Sequence, residues 1–289
     1  MKKRVLALLL GSVLAMGALA GCGGGASEQP PADDQQQQEG EAQTEGETVS
    51  IKVGASPAPH AEILEQAKDA LKAEGIDMEI VEFSDYILPN TALDSGDLDA
   101  NYFQHEPYLI SFNEQNGTKL VSIGNVHYEP MAIYAGKTNS LTEIPDGAKV
   151  SVPNDPTNEA RALLLLEANG LLKINADAGI NATKLDILEN PHNLDIVEME
   201  AAQLPRTLQD VDLAVINANY AISSGLDVHA ALAKEEEDSL GAQTYPNIIA
   251  VKEGNENRPE LQKLVEVLKS DEIKDFIVEK YQGSVLPIE

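Results

Sequence analysis

The feature that most constrains this chain is an order of local patterns: short alternating run, polar turn, amphipathic stretch, then another short run. Val49-Ser-Ile-Lys-Val-Gly-Ala-Ser56 alternates apolar and polar residues and then opens into Gly and Pro, as a strand delivering a loop does. His60 to Glu74 carries Ile63, Leu64, Ala67, Ala70 and Leu71 at helical spacing and stops at Gly75. Met78 to Phe83 is the next strand. A β-α-β opening favours a parallel sheet with helices on its faces.

The alternation continues. Leu98 to His105 reads as a strand, Pro107 to Gln115 as a helix closed by Asn116-Gly117, and Leu120 to Ala135 as two strands broken around Asn125–Pro130. Leu185 to Leu188 and Asp195 to Met199 are further strands, with a short helix from Gln203 to Gln209. Asp212-Leu-Ala-Val-Ile-Asn217-Ala-Asn219-Tyr220 is predicted as a buried strand ending in two carboxamides; turn chemistry accounts for the same asparagines. Lys234-Glu-Glu-Glu-Asp238 reads as a solvated face. Tyr245 to Val251 is one more strand, and Pro259 to Leu268 and Glu272 to Tyr281 are amphipathic helices. The pattern fits two α/β lobes, with the carboxyl-terminal segment returning to complete the first: residues 49–131 plus 246–289 form the first, and 132–245 the second.

Ahead of these lobes, Lys2-Lys-Arg4 and an apolar run from Val5 to Ala20 make residues 1–21 a secretory leader, too short and wrongly flanked for a dependable membrane span. Leu19-Ala-Gly-Cys22 resembles the bacterial lipobox, which implies acylation of Cys22 and anchoring to the outer face of the cell membrane. It is the sole cysteine, so no intramolecular disulfide and no cysteine-based zinc site can form. Residues 22–48 are mostly Gly, Gln, Glu, Pro and Ser, a composition that cannot bury enough surface to fold. As a flexible coil this tether spans roughly 25–30 Å.

Chemistry concentrates where strands end. Val150-Ser-Val-Pro-Asn-Asp-Pro-Thr-Asn-Glu-Ala-Arg161 runs from a β-branched strand into a turn, with Asp155 at an N-cap position and Pro156 at the first helical one. Free N–H groups at such a helix start suit an anion, and Arg161 adds a planar fork that matches a carboxylate. An ordinary surface arginine satisfies the same spacing. Phe103 and His105 fall at the carboxyl end of their strand, where open α/β sheets bind ligands, and core packing accounts for Phe103 and Tyr108 equally. His60, His105, His127, His192 and His229 show no paired ligand spacing, so no metal is expected.

Several functions are excluded. With 48 Asp+Glu against 20 Lys+Arg and a net charge of −28, nucleic acid is not an expected partner. No G-x-S-x-G, H-E-x-x-H or P-loop signature is present, and Arg161 with Asn217 lacks both base and nucleophile, so neither catalysis nor a cofactor is expected. An adhesion lipoprotein remains a distant alternative; it predicts a broad exposed face and no small-molecule cleft.

Four stretches carry a resemblance: Phe83-Ser-Asp-Tyr86 with Leu88-Pro-Asn90, Asp99-Ala-Asn-Tyr-Phe103-Gln-His105-Glu-Pro-Tyr108-Leu109, Val152-Pro-Asn-Asp-Pro-Thr-Asn158-Glu-Ala-Arg161-Ala-Leu163, and Val215-Ile-Asn217. From about Val49 to Ile288 the chain resembles the methionine-binding lipoproteins of bacterial import systems, the NlpA/MetQ family. The resemblance implies a type II periplasmic-binding-protein fold, acting as a monomer. It also implies capture of methionine and its delivery to an ABC permease driven by a separate ATPase. It further implies that Arg161 grips the ligand carboxylate, assisted by Asn158 or the helix N-terminus, and that Asn217 and Asn247 hydrogen-bond the head group. Tyr86, Phe103, His105 and Tyr128 would enclose the side chain. Asn247, backbone carbonyls and a carboxylate all remain open as holders of the ammonium, and Tyr102 has no assigned role. D-methionine, a methionine-containing dipeptide or another apolar amino acid suits the same chemistry.

Overall fold

The computed structural model describes residues 48–236 and 240–288. The expected leader, lipidated Cys22 and most of the tether lie outside the described residues.

The opening folds as its pattern dictates. Strand β1 (Val49–Ala55) leads through a tight turn at Pro57–Ala61 into α1 (Glu62–Ala73), whose Ile63, Leu64, Ala67 and Leu71 are buried at helical spacing. Next come β2 (Ile76–Glu82), α2 (Leu88–Ser95), β3 (Ala100–His105), α3 (Glu106–Asn116) and β4 (Leu120–Tyr128). The chain then leaves this sheet. It runs through β5 (Ala132–Ala135), β6 (Lys149–Pro153), α4 (Pro156–Ala168), the small ribbon of β7 (Lys173–Ile174) and β8 (Ile187–Glu189), and β9 (Asp195–Met199). Then follow β10 (Leu213–Ile216), α5 (Ala218–Ser223), β11 (Ala233–Lys234) and α6 (Leu240–Thr244). Finally β12 (Asn247–Lys252), α7 (Pro259–Leu268), α8 (Asp271–Tyr281) and β13 (Leu286–Pro287) return to the first sheet.

The first sheet has the order β13-β4-β12-β3-β1-β2 and the second β11-β5-β10-β6-β9. Neither is purely parallel as the β-α-β opening suggested. β1 pairs in parallel with β2 and β3, but β12 enters between β3 and β4 and runs antiparallel to both. In the second sheet β6 is parallel to β9 and β10, while β5 is antiparallel to β10. A strand that arrives directly from a neighbouring lobe needs no helical crossover, so it is free to run either way.

Each sheet builds its own core. Ile51, Val53, Leu64, Leu264 and Ile277 pack the first under α1, α7 and α8; Val150, Val152, Leu163, Leu166 and Val215 pack the second under α4. Each such side chain contributes about 1.5–3 kcal/mol by leaving water. Asp212 to Tyr220 does not form one long strand: β10 ends at Ile216, and Asn217 caps α5, so Asn219 and Tyr220 lie on a helix. The predicted break in Leu120–Ala135 also moves, because β4 continues through Tyr128 and only Glu129-Pro130-Met131 is free of strand. The expected solvated face at 234–238 is corrected at Glu235, which is buried.

Candidate functional site

The α4 start forms as its caps dictate. Asp155 accepts the Asn158 N–H at 3.0 Å, and Pro156 stands in the first turn. Asp155 itself therefore occupies the donor that was expected to help hold a ligand anion. It also takes both contacts of Asn158 Nδ2, at 2.9 and 3.0 Å. A carboxylate only accepts, so these contacts fix which end of the Asn158 amide is the donor. Asn158 Oδ1 must then be an acceptor; it takes Asn217 Nδ2 at 2.8 Å and faces His105 Nε2 at 3.3 Å. The Asn217 amide is oriented in turn, and its Oδ1 is left buried with no partner among the described residues.

Arg161, 4% exposed, lies one turn further along α4. It is not an empty fork. Nε donates to Glu235 Oε1 at 2.8 Å, and Nη2 donates to Glu235 Oε2 at 2.6 Å and to the Glu129 backbone oxygen at 2.7 Å. The Tyr245 ring stacks 4.6 Å from the guanidinium carbon. Only Nη1 keeps its donors unused by described residues. Burial disfavours charge on both partners, but their attraction overcomes it: Arg161 is held further up and Glu235 below the ordinary carboxylate range. Glu235 carries no local signal of this role, since its partner lies 74 residues away and it stands in the charged run Lys234-Glu-Glu-Glu-Asp238.

These groups border a narrow cavity of about 20 Å³ between the two sheets. That is room for about one water molecule, so the two walls stand nearly closed on each other. Seven of the expected residues line it: Tyr86, Phe103, His105, Asn158, Arg161, Asn217 and Asn247. Tyr128 does not. Its hydroxyl donates to Glu235 Oε2 at 2.6 Å, so it braces the arginine pair from behind rather than enclosing a side chain. Gln104, Tyr108, Glu129, Ala218 and Asn219 also line the cavity; Tyr108 and Asn219 stood out in the sequence without being assigned to the ligand.

One end of the cavity is aromatic. Tyr86, Phe103 and Tyr108 stand with ring centroids 5.6–6.1 Å apart. Tyr86 also reaches across to α5, where its hydroxyl donates to Asn219 Oδ1 at 2.6 Å, and Asn219 Nδ2 is buried without an acceptor among the described residues. The other end holds Glu129, 5% exposed, on the segment where the chain passes between sheets. His127 Nε2 lies 2.7 Å and His60 Nε2 3.2 Å from its Oε1, and His127 Nδ1 bonds the Tyr102 hydroxyl, which gives Tyr102 its role. Burial lowers His60 to about 4 and His127 to about 3, so both rings are neutral, and burial raises Glu129. His105 is likewise lowered to about 3 by burial.

His60, His127 and Glu129 bring three atoms of metal-ligand type within 4.8 Å of one another, a grouping that spacing along the chain concealed. Both imidazoles spend an N–H on the carboxylate, so the grouping is a hydrogen-bonded network as it stands. The remaining histidines, His105, His192 and His229, take no part in it.

Two sheets on one chain that swap strands across a small, polar-ended cavity define a two-lobe solute-binding protein. The chain matches the NlpA lipoprotein family over residues 51–289 and belongs to that family. It is 41% identical over 281 residues to the D-methionine-binding lipoprotein MetQ of Salmonella typhimurium, covering 96% of this chain and 95% of that protein. A lipoprotein structure from Ruminococcus gnavus shares 56% identity and a TM-score of 0.82 over 83% of this chain and 99% of its own. A nutrient-binding protein from Burkholderia cenocepacia, solved bound to methionine, shares 47% identity and a TM-score of 0.79 over 83% and 100%.

Proposed function

We propose that this protein is a lipid-anchored extracytoplasmic receptor that captures methionine and passes it to an ABC permease worked by its ATPase. The carrying observation is the pair of orphaned amide atoms in the cavity wall, Asn217 Oδ1 and Asn219 Nδ2. Each unsatisfied buried group costs about 1–3 kcal/mol, and a ligand with one donor and one acceptor at its head relieves both. The ring triad suits a thioether, since sulfur–ring contacts add up to about 1.5 kcal/mol each. Arg161 Nη1 and Asn219 Nδ2 take the ligand carboxylate in this reading, and Asn158, Asn217, Asn247 and His105 shape the head-group end. Tyr86, Phe103 and Tyr108 hold the tail.

The lobe boundaries at 131/132 and 245/246, removal of residues 1–21 and acylation of Cys22 belong to the same proposal. The leader and the acylation are supported by the Leu19-Ala-Gly-Cys22 motif and by the lipoproteins this chain resembles, and the boundaries by the sheet order, in which β5 opens the second sheet and β12 returns to the first. Mass spectrometry of the small molecule that co-purifies with the protein, followed by titration calorimetry with L-methionine and D-methionine, tests the reading. Absence of heat with both, together with a co-purified compound that is not an amino acid or short peptide, refutes it.

A further inference from the structure

The network behind the cavity is built from the atoms a transition-metal ion uses. His60 lies on the turn after β1, His127 on β4 and Glu129 on the segment that leaves the first sheet, so three separate stretches of chain converge on one point. All three side chains are buried, and one ligand atom from each lies within 4.8 Å of the others. Glu129 Oε1 stands 2.7 Å from His127 Nε2 and 3.2 Å from His60 Nε2. A tetrahedral ion with bonds of about 2.0–2.1 Å holds its ligand atoms about 3.3 Å apart, so a small rearrangement of the three admits one.

Charge and donor type agree with that geometry. Among the described residues the Glu129 side chain has no lysine or arginine ion pair; its partners are the two imidazoles. A carboxylate so buried is costly without a cation beside it. Two imidazole nitrogens and one carboxylate oxygen suit zinc and its transition-metal neighbours, and they offer too few oxygens for calcium or magnesium. The net charge of −28 draws cations of every kind toward the protein, so donor type rather than supply sets the choice.

One ligand already has its support. His127 Nδ1 bonds the Tyr102 hydroxyl, and Tyr102 is wholly buried. When Nε2 takes an ion, the ring proton sits on Nδ1 and the Tyr102 oxygen accepts it, the arrangement that fixes a metal-bound imidazole. His60 Nδ1 has no such partner among the described residues, which makes His127 the stronger ligand. Asn247 Oδ1, 2.9 Å from His60 Nε2, is the next donor in reach.

We propose that His60, His127 and Glu129 form a binding site for a divalent ion of the zinc class, which pins the connection between the two sheets to β4 and to the turn after β1. The ion replaces the two N–H contacts that the carboxylate accepts in its absence. The site is independent of which solute the cavity captures.

Untagged protein, stripped with a chelator and dialysed, is titrated with zinc chloride by calorimetry and with cobalt(II) chloride by visible absorption. One equivalent of zinc is expected, not displaced by excess calcium or magnesium, and cobalt should develop the strong visible bands of a four-coordinate ion. At about 100 times its Kd, zinc should raise Tm by roughly 5–10 °C. His127→Gln, with folding checked by thermal melting, should lose this equivalent, and Tyr102→Phe should weaken it by roughly 10–100-fold. The proposal is overturned if zinc neither saturates at one equivalent nor raises Tm in the unaltered protein, a result that needs no variant. Equal zinc affinity in unaltered protein and a folded His127→Gln overturns it too, by placing the ion among surface carboxylates. Should His127→Gln fail to fold, cobalt bound to the unaltered chain decides, since the weak bands of a six-coordinate ion would contradict the site.

Discussion

Replacing Glu235 with alanine removes a carboxylate that accepts from Arg161 Nε and Nη2, Tyr128 Oη and the Met131 N–H. Deleting one partner of a buried ion pair costs about 3–5 kcal/mol, because the guanidinium left behind is charged and desolvated. The Met131 N–H, left without its acceptor, argues for the upper half of that range unless water fills the space. For a folded region of this size, about 4 kcal/mol is a fall in Tm of roughly 8–16 °C. Urea unfolding should show the loss as a lower midpoint at unchanged slope. The double variant Arg161→Met, Glu235→Met should recover much of it, since apolar replacement of a whole buried pair is often close to neutral. Acid gives an independent check. Glu235 is held below its ordinary value, so its contribution is fully present above the usual carboxylate pKa and is lost as pH falls through the folded value. The stability gap between unaltered protein and Glu235→Gln should therefore shrink on acidification. A Glu235→Ala protein within about 1 kcal/mol of the original at pH 7 would refute the claim that this pair is desolvated.

Tyr86→Phe deletes the hydroxyl that donates to Asn219 Oδ1 and should lower the unfolding free energy by about 1 kcal/mol in urea titration. Gly136→Ala places a Cβ 2.3 Å from the Val211 backbone oxygen, where no side chain can yield, so it should destabilise by about 1–3 kcal/mol or more in urea titration. Glu159 is raised to about 7, chiefly by burial, so its favoured folded form is protonated and its charge opposes folding as pH rises through that value. Glu159→Gln should accordingly raise Tm at pH 8 and do so much less at pH 5, and an equal change at both would count against the assignment.

What could be read before folding followed from how far each signal travels. The α4 start was legible because Asp155, Pro156 and Asn158 act on one another within a single turn. Phe103 and His105 were legible because strand alternation and the carboxyl-end position are local properties. Glu235 was not, since a carboxylate in an acidic run looks solvated until Arg161 is brought beside it. Tyr128 was expected in the cavity wall as an aromatic in a motif, yet the direction of its hydroxyl depends on that same distant carboxylate. The Tyr102–His127–Glu129 network is hidden in part for the same reason: His127 and Glu129 lie two residues apart, but Tyr102 is brought to them only when β12 inserts between β3 and β4. Asn219 was displaced by one boundary, because apolar composition alone cannot tell where a strand hands over to a helix.

The three residues Glu129, Pro130 and Met131 join one sheet to the other, and each end of this strap grips the binding apparatus: the Glu129 oxygen holds Arg161, and the Met131 amide holds Glu235. A joint that is itself part of the grip ties the spacing of the two halves to the arginine and its carboxylate, so a displacement of either side chain is felt first where the backbone crosses.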